Sequence, residues 1–177
     1  MLPDAATLTL HVQVGAADDA GRRAIHVHTR PVGSADDSEA PWTRHASGTL
    51  APSDPVPYPS GTEAWPPAGA VPLEVGGHYE LLAEGGYHYG PAFRGLRAAW
   101  RDGDDILVEA VTDDGTRNAA ALFGLHPGLF DSVLHALAFD PDHRRAKLPF
   151  SWHNVRLHRT GTDVLRARLT PADNDCV

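Results

Sequence analysis

Apolar and polar residues alternate strictly over residues 7–14, so that one side of this segment is entirely apolar: Leu8, Leu10, Val12 and Val14. Because successive side chains of a strand point to opposite faces of a sheet, the alternation predicts a half-buried β-strand. Residues 24–28 and 42–50 have the pattern of further short strands, and no helical segment separates the three. We therefore predict an antiparallel meander at the start of the chain.

Proline interrupts this pattern over residues 52–77, where seven prolines lie among glycine, serine and alanine. Proline lacks a backbone N–H and resists both helix and central strand. The segment is predicted to be an extended linker on the surface. It divides the chain into an N-terminal part, residues 1–51, and a C-terminal part, residues 78–177.

The C-terminal part combines helices with strands. A short helix is predicted over 78–84, where two glycines follow and end it. A hairpin is predicted next, with strands over 96–100 and 106–111 joined at Asp102-Gly103.

A second helix is predicted over 127–138, because Pro127 suits a first helical position. Its broad apolar stripe predicts that it is largely buried. Two more strands are predicted near 149–158 and 163–169. A helix packed against an antiparallel sheet is an α+β arrangement.

Composition and charge exclude several classes of partner. The formal net charge of −8 argues against nucleic acid, because binding a polyanion needs a positive surface. No apolar run is long enough to cross a membrane, and no signal peptide is visible, so we expect a cytoplasmic protein. The single cysteine, Cys176, supports neither a disulfide nor a cysteine metal site.

Asp131 and His135 are the candidate catalytic pair, because residues four apart share one face of a helix. A carboxyl group removed from water is favoured in its protonated form and can then donate a proton. Asp131 is thus a candidate general acid, and His135 can hold it or a substrate hydroxyl. Structural roles stay open: an aspartate near a helix start favours the helix dipole, and a histidine can be satisfied at a helix edge.

Residues 89–95 form a second candidate element, a turn bent by Gly90, Pro91 and Gly95. Glycine at such a bend lets the backbone approach a ligand closely, and Tyr89 can orient a neighbouring acid through its hydroxyl. The alternative is a tight strand entry in which Tyr89 and Phe93 anchor the core.

Other chemistries lack support in the sequence. His126 and His135 are too far apart for the metal pair of one helix face, and no carboxylate or cysteine completes a ligand set, so we expect no metal. No nucleophile elbow, phosphate-binding loop or dinucleotide-binding glycine pattern occurs.

Three runs, at 89–100, 126–135 and 148–152, occur in an order that resembles the dehydratase domain of modular type I polyketide synthases. Residues 42–48 also resemble the strand that ends the first half of that domain. The resemblance covers essentially the whole chain. It implies an α+β double hot-dog fold, incomplete at both ends, with 1–51 ending the first hot dog and 78–177 forming most of the second.

The resemblance also implies an activity: dehydration of a 3-hydroxyacyl thioester, carried on the phosphopantetheine of an acyl carrier protein, during antibiotic or other secondary-metabolite biosynthesis. No cofactor is implied, and the implied partners are the carrier protein and the other domains of a homodimeric synthase. The implied site comprises catalytic Asp131, substrate-positioning His135, Tyr89, Gly90 and Pro91, and tunnel-lining Phe93, Pro149 and Phe150.

One departure from the family pattern limits this expectation. The family's catalytic base lies in a His-x-x-x-Gly-x-x-x-x-Pro motif, and no histidine here fits: His11 is followed by Gly15, but position 20 is alanine. We therefore expect this chain to supply only the acid half of the site and to be inactive alone. Two alternatives stay open, namely a non-catalytic acyl-binding or structural hot-dog module and a hot-dog thioesterase.

Overall fold

The structure is a computed structural model, and it describes residues 7–32, 41–53, 64–115, 117–139 and 149–172. The chain forms two compact units, Met1–Pro57 and Tyr58–Val177. The boundary falls inside the proline-rich segment 52–77.

The first unit is a three-stranded antiparallel sheet, and the predicted meander is confirmed. Strand β1 spans Leu8–Ala17, β2 spans Arg23–Pro31 and β3 spans Thr43–Leu50, in the order β1-β2-β3. The register pairs Val12 with Val27 and Val14 with Ile25, so the alternating apolar residues gather on one face of the sheet.

That apolar face is not buried, which corrects the expectation of a half-buried strand. Leu10, Val12 and Val14 are 63%, 51% and 49% exposed. Alternation fixes which side chains share a face, but burial also requires another layer to pack on that face. In the described part of this unit, no helix supplies that layer.

The second unit is built on a four-stranded antiparallel sheet in the order β4-β5-β6-β7. Strand β5 spans Leu96–Asp102, β6 spans Asp105–Val111 and β7 spans Val164–Leu169. The hairpin of β5 and β6 and the final strand were predicted. The short strand β4, Val71–Leu73, lies in the segment predicted to be a linker without strands. Pro72 is tolerated there because β4 pairs on one side only, with β5.

The predicted strand near 149–158 is wrong. Residues 149–163 contain no strand, and Val155 and Leu157 are 73% and 57% exposed. The alternating sequence favours extended backbone, but Asn154 adopts φ 55° and interrupts it.

Both predicted helices are present. Helix α1 spans His78–Glu84 as expected; α2, Arg117–Ala120, was not predicted. Helix α3 spans Pro127–Leu134 and continues as a 3-10 helix over His135–Phe139. Throughout the described ranges, every helix is too short or too polar to span a lipid bilayer.

Helix α3 packs on the sheet and forms the core with it. The buried cluster comprises Leu96, Ile106, Val108, Ala110, Leu129, Val133 and Ala136. Leu129 and Val133 point into this cluster with 1% and 2% exposure. Their burial fixes the rotation of α3, and that rotation sets the direction of the intervening Asp131.

Candidate active site

Asp131 and His135 lie on successive turns at the end of α3, and they are hydrogen-bonded. The Nε2 atom of His135 is 3.1 Å from Oδ2 of Asp131. Their exposure differs from the expectation: the side chain of His135 is 3% exposed, whereas that of Asp131 is 40% exposed. The buried member of the pair is the imidazole, and the carboxyl group stands at the surface of the unit.

Two tyrosines contact the imidazole of His135, and a histidine contacts its backbone. The hydroxyl of Tyr79 lies 3.3 Å from Nδ1, and the ring of Tyr89 lies 4.0 Å from the His135 ring, centroid to centroid. His78 Nε2 contacts the backbone carbonyl of His135 at 3.0 Å. Burial lowers the pKa of His135, against the opposing effect of the Asp131 charge and hydrogen bond. Burial likewise lowers the pKa of His78.

The hydroxyl of Tyr79 joins α1 to the strand and helix that carry the site. It accepts a hydrogen bond from the Leu96 backbone N–H at 3.0 Å and lies 3.4 Å from the carbonyl oxygen of Phe93. Burial raises the pKa of Tyr79, and hydrogen bonds from Leu96 and Ser132 oppose that rise. Tyr79 therefore touches His135 on one side and the turn of residues 89–95 on the other.

Ser132 fixes that turn to α3. Its side chain is fully buried, and its Oγ accepts a hydrogen bond from the Gly95 backbone N–H at 3.0 Å. The same Oγ lies 3.1 Å from the Phe93 carbonyl oxygen and 2.8 Å from the Gly128 carbonyl oxygen. A Cβ atom on Gly128 would lie 2.5 Å from the Ala92 carbonyl oxygen, so this close approach requires glycine.

The turn brings some of the predicted residues to the pair. Tyr89 packs on the His135 ring, and Phe93 ends a short 3-10 helix, Pro91–Phe93, that packs on α3. Gly90 and Pro91 shape the entry to that helix, with extended backbone at Gly90 (φ −71°, ψ 165°). Their predicted substrate-positioning role stays a prediction.

An open, mainly apolar cavity of about 400 Å³ lies beside the Asp131 carboxyl group. Its lining residues are Phe93, Pro127, Phe130, Asp131, Leu134, Pro149 and Trp152. Of the predicted tunnel residues, Phe93 and Pro149 are therefore brought to it. Phe150 is not, since its side chain is fully exposed.

Sequence reasoning missed four contributors to this site: His78, Tyr79, Ser132 and Trp152. Tyr79 and His135 are 56 residues apart in the chain, and no periodic pattern joins them. Ser132 carried a usable signal, because a small polar residue on the apolar face of a helix needs a hydrogen-bond partner. Trp152 lay within the 148–152 run but was not singled out.

The arrangement provides a proton donor and acceptor beside an apolar space. Asp131 lines the cavity, while His135, held from behind, restrains its Oδ2 atom. Within the described ranges, no cluster of histidine, cysteine, aspartate or glutamate could hold a metal ion.

Comparison with known proteins defines the class. The family model for the polyketide synthase dehydratase N-terminal domain matches residues 57–175. The chain is 45% identical to polyketide synthase GfsA of Streptomyces halstedii over 96% of its length. It is 44% identical to NorB, a spectinabilin polyketide synthase system protein of Streptomyces orinoci, over 99% of its length.

Solved structures agree. The crystal structure of the erythromycin dehydratase superposes with a TM-score of 0.85 at 39% identity, covering 99% of this chain. A dehydratase from work on the borrelidin and fluvirucin polyketide synthases gives a TM-score of 0.82 at 41% identity, covering 94% of this chain. The fold is therefore an α+β hot-dog fold. The chain belongs to the polyketide synthase dehydratase family.

The chain spans a small part of its relatives. It covers 2% of GfsA, 8% of NorB, and 62% and 57% of the two solved chains. Both relatives are polyketide synthase proteins, and this chain matches one segment of each. The assignment of residues 1–51 and 78–177 to the first and second hot dogs stays a prediction.

Proposed function

We propose that this chain supplies the acid half of a dehydratase site. In this proposal Asp131 protonates the departing hydroxyl of a 3-hydroxyacyl thioester, carried on the phosphopantetheine arm of an acyl carrier protein during polyketide assembly. The observation that carries the proposal is the position of Asp131: it lines a mainly apolar cavity, and its carboxyl group is restrained by His135.

The proposed step balances as follows. A base removes the proton on the carbon next to the thioester carbonyl, and those electrons form the carbon–carbon double bond. The carbon–oxygen bond of the 3-hydroxyl breaks, the Asp131 carboxyl group gives its proton to the leaving oxygen, and water departs. Asp131 is left as a carboxylate and the base is left protonated. Neither a metal nor an organic cofactor is part of this step.

Two of the described histidines are already engaged in hydrogen bonds. His135 is already bonded to Asp131, and His45 is hydrogen-bonded to Thr29 Oγ1 at 2.6 Å within the first unit. We propose that the base is a histidine of the motif His-x-x-x-Gly-x-x-x-x-Pro, which the 177-residue chain does not contain. The chain alone is therefore proposed to be inactive.

A complementation assay tests the proposal. The full chain is mixed with a dehydratase segment that carries the histidine motif, a 3-hydroxyacyl thioester on a carrier protein is added, and loss of one water is followed by mass spectrometry. Conversion that needs both pieces and disappears in Asp131→Asn supports the acid-half proposal. Release of free acid supports a thioesterase, and binding without conversion by a folded complex supports a non-catalytic module; either result overturns the proposal.

A further inference from the structure

We propose that Tyr79 and Ser132 form a two-state hydrogen-bond chain behind His135, which lets the imidazole carry its proton on either ring nitrogen. Tyr79 would then be a positioning residue that acts on Asp131 through His135. This inference rests on the proposed function, because it explains how Asp131 keeps its bond to His135 both before and after it releases a proton.

In the first arrangement Asp131 is a carboxylate. His135 donates from Nε2 to Oδ2 of Asp131, and its unprotonated Nδ1 accepts the Tyr79 O–H across 3.3 Å. The Phe93 carbonyl oxygen then accepts the Ser132 O–H across 3.1 Å. Every polar hydrogen of these side chains has an acceptor.

In the second arrangement Asp131 carries a proton and donates it toward Nε2, so His135 carries its own proton on Nδ1. Nδ1 then donates to the Tyr79 oxygen, and the Tyr79 O–H turns to the Phe93 carbonyl oxygen at 3.4 Å. The Ser132 O–H turns to the Gly128 carbonyl oxygen at 2.8 Å. Again every polar hydrogen has an acceptor.

The change between the two arrangements moves hydrogens only. Both hydroxyl oxygens stay fixed, because the backbone N–H groups of Leu96 and Gly95 donate to Tyr79 and Ser132 in either state. A backbone carbonyl can only accept a hydrogen bond, so in this position it would bond only a protonated Nδ1. A hydroxyl can donate or accept, so it can bond Nδ1 in either state. Because an unsatisfied buried group costs free energy, a hydroxyl here makes both tautomers accessible.

Burial favours a neutral imidazole and outweighs the Asp131 charge on the same helix, which favours the protonated ring. Tyr79 contacts the ring from α1 and Tyr89 contacts it from the turn, while His78 of α1 contacts the backbone carbonyl of His135. Arg94 lies over the Tyr79 ring at 4.9 Å and is paired with Glu80 at 3.0 Å. Burial lowers the pKa of His135, so one proton on one of two nitrogens describes its state near neutral pH.

The primary test needs no variant. The full chain is labelled with ¹⁵N-histidine, and the shifts of both His135 ring nitrogens are followed from pH 8 downward. The proposal expects a protonated Nε2 and an unprotonated Nδ1 at high pH, and an exchange of these roles as the pH is lowered. A proton that stays on Nε2 throughout overturns the proposal. Protonation of both nitrogens without a preceding exchange of roles also overturns it, because the ring itself would then take the proton.

Two variants are expected to act in opposite directions. Tyr79→Phe removes the acceptor that Nδ1–H needs, so the proton should stay on Nε2 at every pH. Ser132→Ala removes a hydroxyl that competes with Nδ1–H for the Tyr79 oxygen and with the Tyr79 O–H for the Phe93 carbonyl, so the Nδ1–H tautomer should increase. A merely structural loss would not give opposite tautomer shifts. Tyr87→Phe, a matched change at a half-buried tyrosine, should leave the titration as in the parent chain.

Activity provides a second readout in the complementation assay. Tyr79→Phe should lower kcat by about three- to tenfold, the worth of one hydrogen bond, with KM unchanged. It should also shift the basic limb of the pH profile to lower pH. If the parent pair shows no dehydration, the proposed function fails while the nitrogen shifts still decide the hydrogen-bond chain. If Asp131→Asn abolishes dehydration but the tautomer never changes, only the hydrogen-bond chain fails.

Discussion

His135 and Asp131 share a hydrogen bond of 3.1 Å, yet only the aspartate reaches the surface of the unit. Tyr79 and Tyr89 contact the imidazole, and His78 contacts the backbone carbonyl of the same residue, so the interior sets the orientation of His135. The hydrogen bond from His135 in turn orients the carboxyl group, which remains accessible to a substrate. This division separates the group that meets a substrate from the groups that hold it in place.

Asp131→Asn should abolish dehydration in the complementation assay, because an amide cannot donate the carboxyl proton. We expect a loss of about 10²- to 10⁴-fold in kcat, the usual contribution of general acid catalysis. Asp104→Asn, the same change at an exposed residue of the hairpin turn, is the control and should retain full activity. Equal activity in the Asp131 variant and the control would remove Asp131 from the mechanism.

His135→Gln should lower kcat less than His135→Ala does. Glutamine keeps an N–H that can reach Asp131, whereas alanine leaves the carboxyl group without its partner and opens a cavity beside Tyr89. Steady-state kinetics should show kcat falling by about tenfold for His135→Gln and by more for His135→Ala. Identical losses in the two variants would mean that the hydrogen bond to Asp131 does not matter.

Acid should destabilise the second unit as pH falls below about 6.5, the ordinary pKa of histidine. Burial lowers the pKa of both His78 and His135, so between pH 6.5 and their folded values the unfolded chain binds more protons than the folded one. The free energy of unfolding should therefore fall by at most about 1.4 kcal/mol per pH unit for each histidine. Denaturant unfolding between pH 7.5 and 5.5 measures this slope.

His78→Gln supplies the control for that slope. Glutamine can still donate to the His135 carbonyl, which His78 contacts at 3.0 Å, but it does not titrate. The free energy of unfolding should then fall less steeply with falling pH, because one of the two histidines no longer contributes to the slope. An unchanged slope would show that His78 takes up its proton equally in the folded and unfolded chains.

Gly95→Ala should destabilise the fold by about 1–3 kcal/mol, the usual cost of overpacking. Its new Cβ atom would lie 2.5 Å from the Val111 carbonyl oxygen and 2.8 Å from Ser132 Oγ. Gly90→Ala is the matched control, because an added Cβ there would have no atom within 4 Å and φ is −71°. Chemical denaturation should separate the two variants; equal stability would contradict the packing of the turn on α3.

Trp152→Ala should weaken binding of long acyl chains by about tenfold, because Trp152 lines the cavity and packs on Phe130 with ring centroids 5.1 Å apart. Phe150→Ala, at a fully exposed side chain, should change KM much less. A larger effect from Phe150 than from Trp152 would restore the tunnel role predicted from the sequence. KM values for short and long 3-hydroxyacyl thioesters make the comparison.

The elements that sequence patterns predicted well are those with a local cause. Pro127 sets the start of α3, and the spacing of Asp131 and His135 follows from helical geometry alone. The failures concern long-range partners. The Tyr79 contact with His135 depends on how α1 packs 56 residues earlier in the chain. Likewise, alternation near residue 155 favours a strand, but a strand also needs an edge to pair with and Asn154 bends the chain.

Helix α3 and the turn that follows it supply both core residues and candidate catalytic residues. Leu129 and Val133 pack it on the sheet. Asp131 lies between these two residues in the chain, and His135 follows Val133 and bonds Asp131. A substitution that changes the packing of Leu129 or Val133 would also rotate the Asp131 carboxyl group. The same substitutions should therefore affect both the stability of the fold and the rate of turnover. We expect such a helix to tolerate few substitutions, whereas residues 149–160 are exposed and should tolerate more. Differences in substrate choice among related chains should therefore concentrate in that stretch, outside α3.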